Sequence, residues 1–322
     1  MQYIERITKS QAVYLPQISP KPLRASYTEV GTGSPIIFLH GFLSNKHCWE
    51  ELTNLLKDHH RCISLDLLGF GDSSKPKLRY NVPTVVAFVE EFLRVMAIDC
   101  GNHSYDCGNH SYDRPLLVGH SFGAWVAAAT ALRALENSNI LDTQDAPETL
   151  QIAGLVLIGA AGIRDDSFCG KYDQYRPLLW STPVVDWVLA LATPLAKLLK
   201  QQAELDKIRW FRSELMENPA ARSFVVDRLR PEDAIDTVEK EIHRLNLPTL
   251  VIAGAEDETI PLWHSQTYAQ EIQGAKLEII PKADHSLPQN SPLEIYELIQ
   301  NFLITSINPQ INPQITDSKN NS

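Results

Sequence analysis

The sequence predicts an α/β fold: a mainly parallel, doubly wound sheet carrying a helical insertion. Short apolar runs bounded by turn residues alternate with stretches of helical periodicity, as in strand–helix–strand units. The runs are apolar almost throughout, as strands covered on both faces are. One region, from about 163 to 245, carries no strand pattern. At 322 residues the chain is long enough to bury a sizeable core, and 44% hydrophobic with 21% charged residues is an ordinary globular balance.

Taken in order, "PIIFLHG" (35–41) and "CISLDLLG" (62–69) read as buried strands. "PTVVAFVEEFLRVMAI" (83–98) has helical periodicity. "RPLLVGHS" (114–121) is a strand that runs directly into the helix "FGAWVAAATALRALE" (122–136). "IAGLVLIGAAG" (152–162) and "PTLVIAG" (248–254) are strands, followed by a helix near 262–272, the strand "KLEII" (276–280) and the helix "PLEIYELIQNFLI" (292–304). Within the strand-free region, "TPVVDWVLALATPLAKLLK" (182–200) places Val184, Val188, Leu191, Leu195 and Leu198 on one helical face. Pro194 divides it, with Thr193 as a cap for the second piece. The predicted organisation is a core of residues 1–162, a helical lid over 163–245, a second core part over 246–305 and a flexible polar tail over 306–322. The lid is expected to close over the strand ends, where ligands bind in such sheets.

Between helix and strand lies a perfect tandem repeat, CGNHSYD twice, over residues 100–113. It carries Cys100, His103, Cys107 and His110. Removing it leaves a connection of normal length, so it reads as a surface insertion. Its two Cys–His pairs are closer together than in structural zinc sites, and no metal is expected there.

The net charge of −10 argues against non-specific binding to nucleic acid or anionic membranes. No apolar run is long enough to span a bilayer, and the N-terminus has no apolar signal region. Five cysteines, an odd number, fit reduced thiols. These features predict a cytoplasmic protein with no nucleic-acid partner and no integral membrane segment; they do not bear on oligomeric state.

The chemistry centres on Gly119-His120-Ser121-Phe122-Gly123, a G-x-S-x-G pattern between an apolar strand and a helix. A sharp strand-to-helix turn exposes the serine hydroxyl, and the flanking glycines make room for it. Serine needs a base, and the base needs an orienting acid. In a fold with this turn the expected order is Ser, acid, His. Ser121, Asp257 and His285 satisfy it, each in a loop just after a strand. Glu256 and Glu258 are neighbouring acids, and Asp165 or Asp166 offers a second placement; Asp257 is preferred. His40 and His120 read as structural, and His264 has no acid partner in the expected order. Backbone N–H groups of Phe42 and Phe122 form the expected oxyanion hole. Trp125 and Trp180 read as core or pocket aromatics, and "GTG" (31–33) as a turn.

Through "GTGSPIIFLHGF", "DLLGFGDSSKP", "LLVGHSFGA", "GAEDETIP" and "ADHSLPQNSP", the chain resembles the α/β-hydrolase fold superfamily. The resemblance is to its lid-bearing members, the haloalkane dehalogenases, epoxide hydrolases and meta-cleavage-product hydrolases. It spans residues 31 to 292 in family order. Dehalogenases and epoxide hydrolases use Asp as nucleophile, where this chain has Ser121. Phe42-Leu43 also departs from the proline common after HG in epoxide hydrolases. The resemblance therefore implies cofactor-independent, serine-dependent hydrolysis of an ester, thioester, amide or activated C–C bond in a small to medium hydrophobic substrate. A ligand-binding or receptor-like member with little turnover, or an acyltransferase using the same triad, are the alternatives.

Overall fold

The computed structural model describes residues 8–101, 114–140, 150–165, 182–227 and 236–307. The repeat beyond Gly101, Asp166, Trp180 and the tail from 308 onward lie outside the described residues. The eight strands are β1 (Thr8–Val13), β2 (Leu23–Val30), β3 (Ser34–Leu39), β4 (His60–Leu65), β5 (Leu116–His120), β6 (Gly154–Ile158), β7 (Thr249–Gly254) and β8 (Lys276–Ile280). They form one sheet in the order β1-β2-β4-β3-β5-β6-β7-β8. Pairing is parallel from β4 through β8, and β1 and β2 add an antiparallel edge.

The central strands are apolar at successive positions because both faces are covered. Ile36, Phe38, Val118, Val156, Ile158 and Ile252 point to one side, against α1 (Glu50–Leu56) and α9 (Pro292–Phe302). Ile37, Leu39, Leu117, Leu155, Leu157 and Val251 point to the other, with α2 (Val82–Gly101) and α3 (Phe122–Ile140). The period-two alternation of a strand thus feeds two separate cores. The expected α/β sheet is present. Strand β4 ends earlier than expected, at Leu65, because Asp66 turns inward to a buried ion pair described below.

The edge strands β1 and β2 are not evident in the sequence. β1 is mostly exposed, and β2 buries Ser26 and Thr28 where an apolar alternation would be sought. Between β6 and β7 the described residues are helical: α4 (Val184–Leu191), α5 (Thr193–Leu198), α6 (Gln202–Glu217) and α7 (Pro219–Asp227). Pro194 lies in the first turn of α5, as expected of the break. Thr193 does not cap it. Ala192 holds the cap position with helical angles, so the chain has no extended residue there, and the Thr193 hydroxyl donates back to the Leu189 carbonyl at 3.3 Å.

Candidate active site

The elbow between β5 and α3 forces Ser121 to φ 54°, a left-handed conformation that a side chain adopts only under constraint. The constraint is close packing of backbone on both sides. A Cβ on Gly119 would lie 2.4 Å from the Gly123 carbonyl oxygen, and one on Gly123 would lie 2.0 Å from that of Leu39. Both glycines therefore answer a close approach. The Ser121 N–H donates to the Ile158 carbonyl at 2.8 Å, which ties the elbow to the next strand.

Three side chains meet here. His285 Nε2 lies 3.0 Å from Ser121 Oγ, and His285 Nδ1 lies 2.7 Å from Asp257 Oδ2. Asp257 Oδ1 accepts the N–H groups of Thr259 and Ile260, each at 2.8 Å. Burial pushes the Asp257 pKa up, but the bonds from His285 and from those amides outweigh it, and the pKa is lowered. An ionised carboxylate only accepts, so Nδ1 carries the imidazole proton and Nε2 is left to accept from the serine hydroxyl. Glu256 and Glu258 are exposed.

Asp165, the other described alternative, pairs elsewhere: its Oδ2 lies 3.5 Å from His264 Nε2. His264, third residue of α8 (Leu262–Glu271), therefore has an acid partner after all, one brought to it from the loop after β6. Both are largely buried, and burial lowers the His264 pKa despite the nearby carboxylates.

The segments that carry Phe42 and Phe122 lie side by side at the elbow. Ser44 N–H closes a turn on the Gly41 carbonyl at 3.3 Å, a turn that leaves the N–H of Phe42 outside its own hydrogen bond. Phe122 is the first residue of α3, where an N–H has no intrahelical acceptor. The rings of Phe42 and Phe122 are 6.3 Å apart, and a Cβ on Gly41 would lie 3.3 Å from Ser121 Cβ, so the two segments are in contact.

His120 is more than a filler of the elbow. Its Nε2–H donates to the His285 carbonyl at 2.8 Å, and its ring packs against that of His285 at 4.9 Å. Burial and the neighbouring His285 drive its pKa down to about 3. It is therefore neutral at ordinary pH and holds the loop that carries His285. No sequence signal distinguishes this from a bland core histidine.

A second feature is a buried ion pair. Lys46 Nζ lies 2.7 Å from both Asp66 Oδ2 and Asp72 Oδ2, and Lys46 N–H donates to Asp66 Oδ1 at 2.7 Å. Burial pulls the ammonium pKa down, yet the two carboxylates leave it raised. This joins the segment after β3 to the loop after β4. His40 adds a second tie: its Nε2 accepts the Leu67 N–H at 3.1 Å, and its Nδ1–H donates to the Gly41 carbonyl at 2.8 Å.

The inserted helices reach the elbow through α7. Phe224 stacks edge-on against Phe122 at 4.9 Å, Ser223 Oγ accepts the Tyr80 N–H at 2.9 Å, and Asn218 Oδ1 accepts from Lys75 Nζ at 3.0 Å. Trp125 also packs on Phe122, with its indole N–H on the Asp236 carbonyl.

A parallel sheet with an elbow serine after its fifth strand, and a histidine after its last, defines a class of hydrolases. The model of the alpha/beta hydrolase family matches residues 36–298, and the chain belongs to that family. Among curated proteins it is 25% identical over 283 residues to 2-hydroxy-6-oxo-2,4-heptadienoate hydrolase of Pseudomonas putida, covering 85% of this chain and 91% of that one. It is 26% identical over 291 residues to 2-hydroxymuconate semialdehyde hydrolase of a Pseudomonas species, covering 87% and 90%. A solved meta-cleavage product hydrolase superposes with TM-score 0.65 at 20% identity, over 93% of this chain and 99% of that one. A membrane phospholipase A superposes with TM-score 0.64 at 22% identity, over 93% and 86%. The chain is a hydrolase of this family. Among the described residues, no helix is long and apolar enough to cross a membrane.

Proposed function

We propose that the protein is a serine hydrolase in which Ser121 attacks a carbonyl carbon of a small to medium hydrophobic substrate. The observation that carries this is the continuous path from Ser121 Oγ through both His285 nitrogens to Asp257, at 3.0 and 2.7 Å. His285 takes the serine proton and later gives it to the leaving group. Asp257 holds the imidazole in the required tautomer and stabilises its cation. The N–H groups of Phe42 and Phe122 receive the negative charge of the tetrahedral intermediate. Water, activated by the same histidine, then releases the acyl group. The triad needs no cofactor for any of these steps.

The apolar environment supports a hydrophobic acyl group: the rings of Phe42 and Phe224 both pack on that of Phe122, next to Ser121. The contact of α7 with Phe122 supports the reading of the inserted helices as a lid. The names of the curated relatives favour an activated C–C bond next to a carbonyl as one natural target, with esters and thioesters accessible to the same chemistry. The test is hydrolysis of p-nitrophenyl acetate and butyrate by wild type and Ser121→Ala, with fluorophosphonate labelling alongside. Turnover and labelling in wild type and neither in the variant is the expected result. A wild type that does neither would leave a binding protein as the better reading.

A further inference from the structure

Strand β8 is an outer strand of the sheet, with β7 on one side and no strand on the other among the described residues. Its free side is open. Lys276, Glu278 and Ile279 are exposed, Ile279 at 42%, and a Cβ on the preceding Gly274 would meet nothing within 4 Å. The bond from the Ala255 N–H to the Ile280 carbonyl, at 3.0 Å, fixes which backbone groups use that side. Both backbone polar groups of a strand residue point to the same edge, and those of its neighbours point to the opposite one. Lys276, Glu278 and Ile280 therefore direct theirs to β7, while Leu277 and Ile279 each present an N–H and a carbonyl outward. Such an edge is a template for another strand. The side chains divide with the same period. Ile280 packs with α1 and α9, which puts Lys276 and Glu278 on that face. Leu277 packs with the core on the α2 and α3 side, and Ile279 shares its face.

We infer that this edge pairs with the β8 edge of a second copy of the chain, antiparallel about a twofold axis at Leu277. In a symmetric antiparallel pair, residues with outward backbone groups must face each other. Centring on Leu277, Glu278 or Ile279 satisfies that condition. Centring on Leu277 sets Lys276 opposite Glu278 of the other copy, and symmetry repeats the pair. Centring on Glu278 sets that carboxylate against itself, and centring on Ile279 carries Lys276 past the end of the facing strand. Opposite charges directly across two strands attract and like charges repel, so charge selects the first register. There Leu277 exchanges both backbone bonds with its own copy and lies beside it on the other face. Lys276 and Glu278 fall at the non-hydrogen-bonded position, where facing side chains come closest. Both are available. Lys276 Nζ bonds the hydroxyls of Thr305 and Ser306 at 3.3 and 3.2 Å, and Glu278 has no ion-pair partner among the described residues. Charged side chains on an edge ordinarily repel a copy of it, but two of opposite sign, two residues apart, make this edge self-complementary. The net charge of −10 on each copy opposes the approach only over distances that salt screens. β8 leads directly into the loop of His285, so the pairing holds on both sides the strand that precedes that residue.

The experiment is sedimentation velocity of the full chain across a range of concentrations at physiological salt, with amide exchange of residues 276–280 followed by mass spectrometry. Wild type is expected to show a reversible monomer–dimer equilibrium, with exchange in that segment slowing as concentration rises. Glu278→Lys sets Lys276 opposite another lysine and is expected to weaken the dimer about tenfold or more. Lys276→Glu does the same with two acids. Carrying both changes on one chain restores opposite charges across the axis, and that double variant is expected to dimerise like wild type. All three variants are at exposed positions outside the candidate site and should keep the wild-type circular dichroism spectrum. Ser121→Ala is expected to dimerise like wild type, so the outcome is independent of the serine chemistry. A wild-type chain still monomeric at about 100 μM overturns the proposal. So does a dimer that Glu278→Lys leaves intact, or a double variant that stays monomeric, since either places the contact elsewhere. Species that grow beyond a dimer would mean head-to-tail pairing of β8 with β1, and overturn it as well.

Discussion

At the scale of single residues, the candidate site depends on a few atoms with no freedom to move. Asp257 is one of them, because its two oxygens are fully used by His285, Thr259 and Ile260. Asp257→Asn keeps the shape but lets the imidazole adopt the wrong tautomer. Its kcat is expected to fall by roughly 10³–10⁴-fold, measured on p-nitrophenyl butyrate. Glu256→Gln and Glu258→Gln, both on exposed side chains, should stay within about twofold of wild type. Equal losses in all three would mean that the acid is misassigned. His120 makes a different case. His120→Phe keeps a ring in place but removes the donor to the His285 carbonyl, and a buried carbonyl without a donor costs about 1–3 kcal/mol. Urea unfolding measures that loss, and kcat should fall with it while His120→Gln, which retains an N–H donor, recovers part of both. Ser121, Asp257 and His285 were legible because chain order and loop position single them out. The partners of His120 and His264 were not, since each contact joins segments far apart in the sequence.

At the scale of elements, strands β3 to β7 could be read from the chain because burial on both faces leaves apolar runs, whereas the edge strand β8 buries only Ile280. β1 and β2 could not, because β1 is polar and mostly exposed and β2 buries serine and threonine among its apolar residues. The helices α4 and α5 show a subtler limit. Periodicity puts Val184, Val188, Leu191, Leu195 and Leu198 on a common face, but period alone does not say whether that face points to the core or away from it. In the structure that face is exposed, and α4 is fastened to α6 by the Asp186–Arg212 ion pair. The connection between β3 and β4 also rests on a charge pair the apolar pattern cannot show. Lys46 and Asp66 are both almost wholly buried, whereas the Asp72 side chain is 66% exposed. Lys46→Met leaves Asp66 buried without its counter-charge and is expected to cost about 3–5 kcal/mol in unfolding free energy. Asp72→Asn removes only a solvent-screened partner and is expected to cost less than about 1 kcal/mol. If the two variants unfold at the same denaturant concentration, the buried pair does not organise this loop.

For the molecule as a whole, several histidines lie wholly or partly buried in and around the sheet. His40, His60, His120 and His264 all have lowered pKa values, and in each case burial is the leading cause. They sit at the ends of the strands or beside them, so acid sensitivity is spread through the fold. Each is neutral in the folded chain at a pH where the unfolded chain, with the ordinary imidazole value of 6.5, already binds a proton. Below that value the unfolded state holds more protons, so stability falls as pH falls. For His120 the window runs from 6.5 down to about 3. Asp257, also lowered, adds in the same direction at lower pH. The net charge of −10 works against this, since protonation relieves self-repulsion, but that contribution is long-range and screened by salt. Guanidinium unfolding monitored at pH 7.5, 6 and 5 is therefore expected to show a steadily falling midpoint. His120→Gln combined with His264→Gln should flatten that trend, because an amide cannot take up the proton in either state. A wild-type midpoint that does not change between pH 7.5 and 5 would mean that these rings accept protons without opening the fold, and that their burial is shallower than the packing around the elbow requires.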